Sequence, residues 1–236
     1  MTTFVLVHGA WHGGWCWQRV TPHLIAAGHR VFTPTLTGVG ESAHLASPAV
    51  GVSTHIQDVI GLIEKNELQD IVLVGHSYGG MVITGVAEKL HAKIASIVYL
   101  DAFIPEDGQA LVHHQPEAAR TGMMMDAIEN GDGWQVTPRS PEYFAVKDQD
   151  NIDWINRQCT RQPLLTFIQP VRAKGDWKKV PRKVYIRAAG HPGPVFAPFG
   201  DMAKTSADWD YHAVPCGHEV MIEMPKELAD ILLSLS

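Results

Sequence analysis

The chain alternates short apolar runs with longer segments in which apolar residues recur every three or four positions. Short unbroken apolar runs predict buried strands, and the wider spacing predicts helices with one face against a core. Because strands of this kind alternate with helices, the pattern predicts an α/β fold with a mostly parallel sheet covered by helices on both faces. Thr54 and Gln57 have the spacing of a capping box, which predicts that the second helix begins at Thr54. Strands are predicted at 2–9, 29–34, 70–76, 94–100, 183–189 and 209–215, and helices near 19–27, 54–63, 78–90, 195–204 and 225–235.

The α/β rhythm is interrupted between residues 103 and 180. This range mixes helical spacing with prolines and glycines, and Met and aromatic residues are scattered through it. A segment of this length between two strands of one sheet is typical of an inserted cap. We therefore predict a core of residues 1–102 and 181–236 and a cap of residues 103–180.

Composition narrows the class of partner. The net charge is -6 and the sequence has no basic run, which argues against a nucleic-acid partner. No apolar run approaches the roughly 18 residues that span a membrane, and no leader-like segment precedes the first predicted strand. The three cysteines are odd in number and far apart, so we expect no disulfide framework and a cytoplasmic location. The sequence is compatible with a homodimer but does not specify one.

The stretch "VGHSYGGM" joins the third predicted strand to a helix. Gly-x-Ser-x-Gly in that position is the pattern of a nucleophile elbow, a sharp turn that exposes the serine at the carboxyl end of a strand. Gly75, Gly79 and Gly80 lack Cβ atoms and allow the chain to pass close by. A plain tight turn would not need all three, so we interpret Ser77 as a nucleophile.

A serine hydroxyl needs a base to become a good nucleophile. The chain has 13 histidines, so position must select one. His218 lies between the last predicted strand and the last helix, in a loop that opens on the same edge of the sheet as Ser77. We predict His218 as the base, the alternative being a surface histidine.

A serine that attacks a carbonyl carbon also needs two backbone N–H donors to hold the resulting oxyanion. Tyr78, the residue after the nucleophile, should supply one. Ala10 should supply the other, from the loop "HGAWHGG" after the first strand, with Trp11 beside it. The alternative is that this loop is only a Gly-rich connector.

Six motifs run along nearly the whole chain: "FVLVHGAWHGGWCW", "AAGHRV", "LVGHSYGGM", "VYLDAFIPED", "KVYI" and "GHEVMIEMPKELADIL". Together they resemble the α/β-hydrolase fold and, within it, the family of plant methylesterases and hydroxynitrile lyases with their bacterial esterase relatives. The resemblance is weak through the predicted cap. It implies that Ser77 and His218 are catalytic and that Ala10 and Tyr78 are oxyanion donors.

The acidic partner of His218 departs from the family pattern. The family usually carries an acid after the strand that corresponds to "KVYI", but here "RAAGHPGPVF" holds none and places His191 there. Asp101 ends the strand that follows the nucleophile strand, and its side chain could reach His218. We therefore predict Asp101 as the acid that holds the imidazole tautomer. Asp201 and Asp107 stay open as alternatives, as does a role for Asp101 in capping a turn.

A substrate pocket should be mainly apolar. Trp11 adjoins the predicted catalytic groups, and the cap can add Met124, Trp134, Phe144 and Trp154 to the wall. No dinucleotide fingerprint is present, and His113 and His114 lack a second ligand pair, so we expect neither cofactor nor metal.

The predicted function is a serine esterase acting on a small, mostly apolar carboxylic or carbamic ester through an acyl-enzyme. A non-catalytic ligand receptor on the same fold is the alternative, because a receptor can lose a member of the triad. A hydroxynitrile lyase is less favoured. The family's lyases carry Thr where this chain has Ala10, and Lys where it has Glu219.

Overall fold

A six-stranded parallel sheet forms the centre of the molecule, in the strand order β2-β1-β3-β4-β7-β8. The computed structural model describes residues 1–236. A separate antiparallel pair, β5-β6, lies outside the main sheet. The parallel α/β architecture expected from the apolar pattern is confirmed. The strands are β1 (Thr3–Val7), β2 (Arg30–Phe32), β3 (Ile71–His76), β4 (Ile94–Leu100), β5 (Gln135–Val136), β6 (Gln162–Pro163), β7 (Arg182–Ala188) and β8 (Trp209–Val214).

Nine α-helices accompany the strands, and none combines the length and apolar character needed to cross a bilayer. All five predicted helices are present within a few residues of their expected bounds. The short helix α8 was not predicted, and neither were the bounds of the three helices between residues 103 and 180. The helices are α1 (Thr21–Ala26), α2 (Val52–Lys65), α3 (Gly79–Leu90), α4 (Glu117–Asn130), α5 (Gln149–Gln158), α6 (Leu165–Ile168), α7 (Ala197–Thr205), α8 (Val220–Glu223) and α9 (Pro225–Leu233).

The start of α2 differs from the prediction. The helix begins at Val52, and Thr54 lies in its first turn, where its hydroxyl accepts a hydrogen bond from the Gly51 N–H at 3.3 Å. The N–H of Ser53 is satisfied by the side-chain oxygen of Gln169 at 2.8 Å. A partner 116 residues away therefore completes the first turn, and local spacing could not reveal it.

The core lies on both faces of the sheet. Strands β1 and β3 are buried along their whole length, as expected for strands covered by helices on both sides. Alternate residues of each strand point to opposite faces, so Val5 and Val7 pack in one apolar cluster while Phe4 and Leu6 pack in the other.

Residues 103–180, the predicted insertion, connect β4 to β7 and contain α4, α5, α6 and the β5-β6 pair. Its last residues lie against α3. The N–H groups of Gly175 and Trp177 both donate to the Glu88 carboxylate at 3.1 Å, and the Trp177 ring lies 6.2 Å from that of Tyr99. This end of the insertion is therefore packed on the sheet through a helix of the core.

The carboxyl edge of the sheet collects the loops that follow β1, β3, β4, β7 and β8. Strand β1 pairs with β2 on one side and β3 on the other, so the chain order reverses between β1 and β3. Open α/β sheets bind ligands outside the carboxyl ends of their strands, at such a reversal. A ligand site is therefore expected at the loops that follow β1 and β3, which contain Ala10 and Ser77.

Candidate active site

Ser77 occupies a strained turn between β3 and α3. Its φ of 52° lies in the left-handed region, which non-glycine residues seldom adopt. The flanking glycines leave room for the turn, since a Cβ at Gly75 would lie 2.7 Å from the carbonyl oxygen of Gly79. A Cβ at Gly80 would lie 2.1 Å from the carbonyl oxygen of Phe103. The Gly-x-Ser-x-Gly-Gly sequence is therefore required by close backbone approach, and it holds Ser77 at the strand end.

His218 lies in the loop between β8 and α8, with its ring directed by a carboxylate. Its Nδ1 is 2.7 Å from Oδ2 of Asp101, which follows β4. Because a carboxylate can only accept, Nδ1 carries the proton and the neutral ring leaves Nε2 bare. Nε2 is buried and has no hydrogen-bond partner in the protein. A ring in this state is ready to accept a proton from a nearby hydroxyl.

The Asp101 carboxylate is fully buried and strongly held in its ionised form. Burial alone would raise its pKa, but the neighbouring imidazoles of His191 and His218 and the charge of Arg187 bring the pKa well below its usual range. The Arg187 guanidinium pairs with Oδ1, and the Ala188 N–H approaches the same oxygen at 3.3 Å. Asp101 is thus the carboxylate that contacts the imidazole.

The alternative acids lie elsewhere. Asp201 is exposed on α7. Asp107 is exposed as well, and its carboxylate accepts a hydrogen bond from the Ala173 N–H at 3.0 Å. Neither residue hydrogen-bonds or pairs with His218.

Aromatic rings fix the plane of the His218 imidazole. Phe144 stacks on it with centroids 5.1 Å apart and Phe196 with centroids 4.8 Å apart. The backbone is held too, because His76 Nε2–H donates to the His218 carbonyl at 3.0 Å and the His218 N–H donates to the Phe144 carbonyl at 2.9 Å. These contacts leave the imidazole little freedom to rotate away from Asp101.

The loop after β1 carries one free backbone N–H, on Ala10. The N–H of Ala10 donates to no protein acceptor. The carbonyl of the same peptide, on Gly9, accepts a hydrogen bond from His8 Nδ1–H at 2.8 Å. In a trans peptide these two groups point in opposite directions, so the Ala10 N–H points away from the His8 ring. The loop passes close to the elbow, since a Cβ at Gly9 would lie 3.1 Å from the Ser77 Cβ.

The next peptide of this loop is held at both ends. The Ala10 carbonyl accepts from His12 Nδ1–H at 2.7 Å, and the Trp11 N–H donates to the buried side-chain oxygen of Gln162 at 2.7 Å. Trp11 has a φ of 66°, again in the left-handed region. Residues of the insertion therefore hold the loop that carries Ala10 in a conformation it would not adopt alone.

His12 and Glu219 form a buried ion pair behind the site. His12 Nε2 lies 3.3 Å from Oε2 of Glu219, and both residues are almost fully buried. Burial disfavours both charges, but Cys159 and Glu219 raise the pKa of His12, and His12 lowers the pKa of Glu219. Because Glu219 follows His218 directly, the pair ties the Ala10 loop to the His218 loop.

Tyr78 places the second free N–H. Its backbone N–H, at the start of α3, donates to no protein acceptor. Its side chain is anchored to α2, because the hydroxyl lies 2.8 Å from His55 Nδ1. The His55 ring is held in turn, since its Nε2–H donates to the Thr37 carbonyl. The free N–H groups of Ala10 and Tyr78 thus lie in the loops that follow the adjacent strands β1 and β3.

A cavity of about 270 Å³ opens at this point and is mostly apolar. Ser77, Ala10 and Tyr78 line it, and so do the predicted wall residues Trp11 and Phe144. Ser77 thus shares an apolar chamber with two residues whose backbone N–H groups are free, Ala10 and Tyr78.

Three other predicted wall residues do not line this cavity, and the prediction is corrected there. Met124 points away because its neighbour Met123 on α4 takes the inward position. Trp134 lies in the turn before β5, where its carbonyl accepts from the Leu164 N–H at 2.7 Å.

The third, Trp154, packs in the core cluster on the opposite face of the sheet. Its ring meets Trp15 edge-on at 5.3 Å, and the Arg19 guanidinium lies 4.6 Å from its centroid.

The structure adds wall residues that the sequence did not single out. His191 and Phe196 reach the cavity from the loop after β7, and Phe103, Arg139 and Phe167 reach it from the insertion. The placement of the 189–196 loop at the carboxyl edge was the available signal for the first two. No periodicity marks the others.

Two groups of residues bring possible metal ligands within 4.8 Å of one another, Asp101 with His191 and His218, and His76 with His218 and Glu219. Both share His218, and the Arg187 guanidinium already neutralises Asp101. His113 Nδ1 accepts a hydrogen bond from the Ala110 N–H. The carboxylate of each group is thus already paired with a protein cation, Asp101 with Arg187 and Glu219 with His12.

Three buried histidines predict that acid destabilises the fold. Burial lowers the pKa of His8 and His76 to about 3 and that of His55 to about 4, from an ordinary 6.5. Below pH 6.5 the unfolded chain binds protons at these sites that the folded chain does not. The free energy of unfolding should therefore decrease as the pH is lowered, by up to about 4 kcal/mol per pH unit for the three histidines together. Urea unfolding at pH 7, 6 and 5 measures this slope.

Burial also lowers the pKa of His114, which adds to this slope, and raises the pKa of Glu223, which offsets part of it near the acid end. The remaining shifted groups act outside that window. His12, with its raised pKa, is protonated in both states below pH 6.5, and the lowered carboxyl pKa values of Asp101 and Glu219 matter only below about pH 4.5. His8→Asn should therefore reduce the slope by about a third. Equal stability at pH 7 and pH 5 would contradict the prediction.

The carboxyl edge of the parallel sheet thus carries a strained serine turn after β3 and a hydrogen-bonded His218–Asp101 pair from the loops after β8 and β4. Residues 4–231 match the model of the alpha/beta hydrolase family. The chain belongs to this family.

Relatives within the family indicate the esterase branch. The carbendazim hydrolyzing esterase of Nocardioides sp. (strain SG-4G) is 46% identical over 243 residues, covering 100% of both chains. Esterase PIR7B of Oryza sativa subsp. japonica is 29% identical over 262 residues, covering 99% of this chain and 95% of its own. These relatives support a hydrolase of esterase type.

Solved structures confirm the fold. An extracellular alpha/beta-hydrolase from a Paenibacillus species superposes with a TM-score of 0.88 at 23% identity, covering 100% of this chain and 99% of its own. A pyrethroid hydrolase from Sphingobium faniae JZ-2 gives a TM-score of 0.71 at 23% identity, covering 99% and 96%. The expected membership of the α/β-hydrolase family with its esterase relatives is confirmed by the family match and the Nocardioides relative.

Proposed function

We propose that the chain is a serine esterase that cleaves small, mostly apolar carboxylic or carbamic esters through an acyl-enzyme. The observation that carries the proposal is the bare, buried Nε2 of His218, whose ring is fixed by Asp101 at 2.7 Å, in a site that also holds the strained Ser77. Serine, base and acid then have the chemical roles of a triad.

The reaction would proceed in two halves. Ser77 Oγ attacks the ester carbonyl while His218 Nε2 takes its proton, and the N–H groups of Ala10 and Tyr78 stabilise the oxyanion. His218 then returns the proton to the departing alkoxide, which leaves the acyl group on Ser77. In the second half His218 activates water, and the acid is released as Ser77 regains its proton.

The carbamate branch is supported by the Nocardioides relative, whose name states that it hydrolyses carbendazim. Carbendazim is the methyl carbamate of an aminobenzimidazole, a flat molecule with one ester carbonyl. The aromatic wall of the cavity, with Trp11, Phe144 and Phe167, suits a flat ring system.

A lyase mechanism finds less support in the same site. Glu219, which stands where the lyases of the family carry a lysine, is paired with His12 and does not line the cavity. The wall therefore lacks a cation at that position to stabilise a departing cyanide.

Covalent labelling tests the proposal. The purified protein should hydrolyse p-nitrophenyl acetate and carbendazim, and a fluorophosphonate should abolish both activities at one equivalent per chain. Mass spectrometry of the digested protein should find the phosphonyl group on Ser77. Labelling at another residue would contradict the mechanism, binding of carbendazim without turnover would favour a receptor, and cyanide release from a cyanohydrin would favour a lyase.

A further inference from the structure

His191 lies in the loop between β7 and α7 and faces the same cavity as Ser77. It is almost fully buried, with its ring centroid 5.1 Å from that of His218. The acyl-transfer steps above do not use it. A buried imidazole in the wall of a small cavity is a polar group that must be matched by a ligand or left unsatisfied.

The ring of His191 is oriented by the carboxylate that also orients His218. Its Nδ1 lies 3.5 Å from Oδ2 of Asp101, at the outer limit of a hydrogen bond, and no other acceptor is within reach of that nitrogen. Because Asp101 is ionised, the nitrogen that faces it carries the proton. Nε2 of the neutral ring is then a bare acceptor.

The loop around His191 is built to hold this orientation. The Arg187 guanidinium, which pairs with Asp101, also donates to the His191 carbonyl at 3.0 Å. Gly193, another residue of the cavity wall, leaves space beside the ring, since a Cβ there would lie 2.9 Å from His191 Nε2. One arginine therefore fixes both the carboxylate and the backbone of the histidine.

We infer that His191 Nε2 accepts a hydrogen bond from the N–H of a carbamate, and so makes the site selective for carbamate esters that carry a free N–H. The inference rests on the proposed function. The free N–H groups of Ala10 and Tyr78 can only donate, so they match the substrate carbonyl and not its N–H. A carbamate N–H is bonded directly to that carbonyl carbon, and His191 offers an acceptor in the same small cavity.

A substrate pair isolates this hydrogen bond. A methyl N-arylcarbamate and the methyl aryl carbonate differ only in N–H against O beside the carbonyl. The wild-type protein and His191→Phe, which keeps an aromatic ring against Phe144 and Phe196, are compared by the ratio of kcat/KM for carbamate to that for carbonate. This ratio should fall at least tenfold in His191→Phe, because the buried acceptor stabilises only the bound carbamate, which has an N–H to donate to it.

Controls separate this result from other causes. His23→Leu, a change at an exposed histidine, should leave the ratio as in the wild type. If His191→Phe does not fold, His191→Leu serves in its place. Equal losses on both substrates would overturn the inference and assign His191 to the support of Asp101.

A different result would contradict the proposed function itself. In that case Ser77→Ala would keep its activity on both esters. A normal Ser77 dependence with an unchanged substrate ratio would sink only the role of His191.

Discussion

Ser77→Ala should lower kcat for ester hydrolysis by about 10⁴- to 10⁶-fold, the range seen when a triad serine is removed. The turn between β3 and α3 holds no other aliphatic hydroxyl and no thiol, and the phenol of Tyr78 is held by His55 at 2.8 Å, so the turn offers no substitute for the Ser77 nucleophile. KM should change little, since the apolar wall and the free N–H groups of Ala10 and Tyr78 are left intact. Activity is measured after titration of the active fraction, so that traces of wild-type enzyme do not set the floor.

Stability supplies the matched control for this variant. Ser77 has a φ of 52°, which glycine adopts without strain. Ser77→Gly should therefore be as inactive as Ser77→Ala but more stable, by about 1 kcal/mol on the scale of left-handed strain. A Ser77→Ala protein that folds normally and keeps a tenth of wild-type activity would rule out the acyl-enzyme mechanism.

The positions of Ser77, Tyr78 and Ala10 could be predicted because each depends on a local pattern. A buried apolar run followed by Gly-x-Ser-x-Gly specifies a strand, a sharp turn and a helix within a few residues. In a parallel sheet the carboxyl ends of all strands share one edge, so the loops of β1, β3 and β8 were expected to meet. The α/β pattern alone therefore brings Ala10, Ser77 and His218 to one edge.

The cavity wall could not be predicted in the same way. Its members come from the insertion and from the loop after β7, where no periodicity shows which side of an element faces inward. Met123 lines the wall and Met124 does not, although their sequence surroundings are nearly the same. Trp154 packs on the opposite face of the sheet because α5 crosses to that side.

His191 occupies the position at which the family usually carries the acid. The sequence has no acid after "KVYI", and the acidic partner of His218 was therefore predicted to follow another strand. In the structure that position holds an imidazole directed at Asp101, the carboxylate that follows β4. The strand order places β4 beside β7, so an acid from one loop can take the place left by the other.

Asp101→Asn should lower kcat by at least about 100-fold while KM moves little. An amide in place of the carboxylate can present N–H to His218 Nδ1, which favours the tautomer that carries its proton on Nε2, and it cannot stabilise the imidazolium. Removing this acceptor from a serine protease costs about 10⁴ in kcat. Asparagine tolerates the left-handed φ of 41° at this position, so the backbone should keep its turn.

The same change leaves the Arg187 guanidinium without its buried partner. Breaking a buried pair by removing one charge typically costs about 3–5 kcal/mol of stability, so Asp101→Asn should unfold at lower urea concentration. kcat is therefore measured well below the unfolding transition, on protein whose active fraction has been titrated with fluorophosphonate. This separates a slower chemical step from a smaller amount of folded enzyme.

Asp201→Asn and Asp107→Asn complete the test of the acid. Asp201 is exposed on α7 and contacts no part of the site, so its loss should leave both kcat and stability unchanged. Asp107→Asn weakens one hydrogen bond to the Ala173 N–H, which predicts a stability loss of about 1 kcal/mol and an unchanged kcat. A silent Asp101→Asn beside a crippled Asp201→Asn or Asp107→Asn would move the acid to another loop. A loss of stability without a loss of kcat in Asp101→Asn would reduce Asp101 to a structural partner of Arg187.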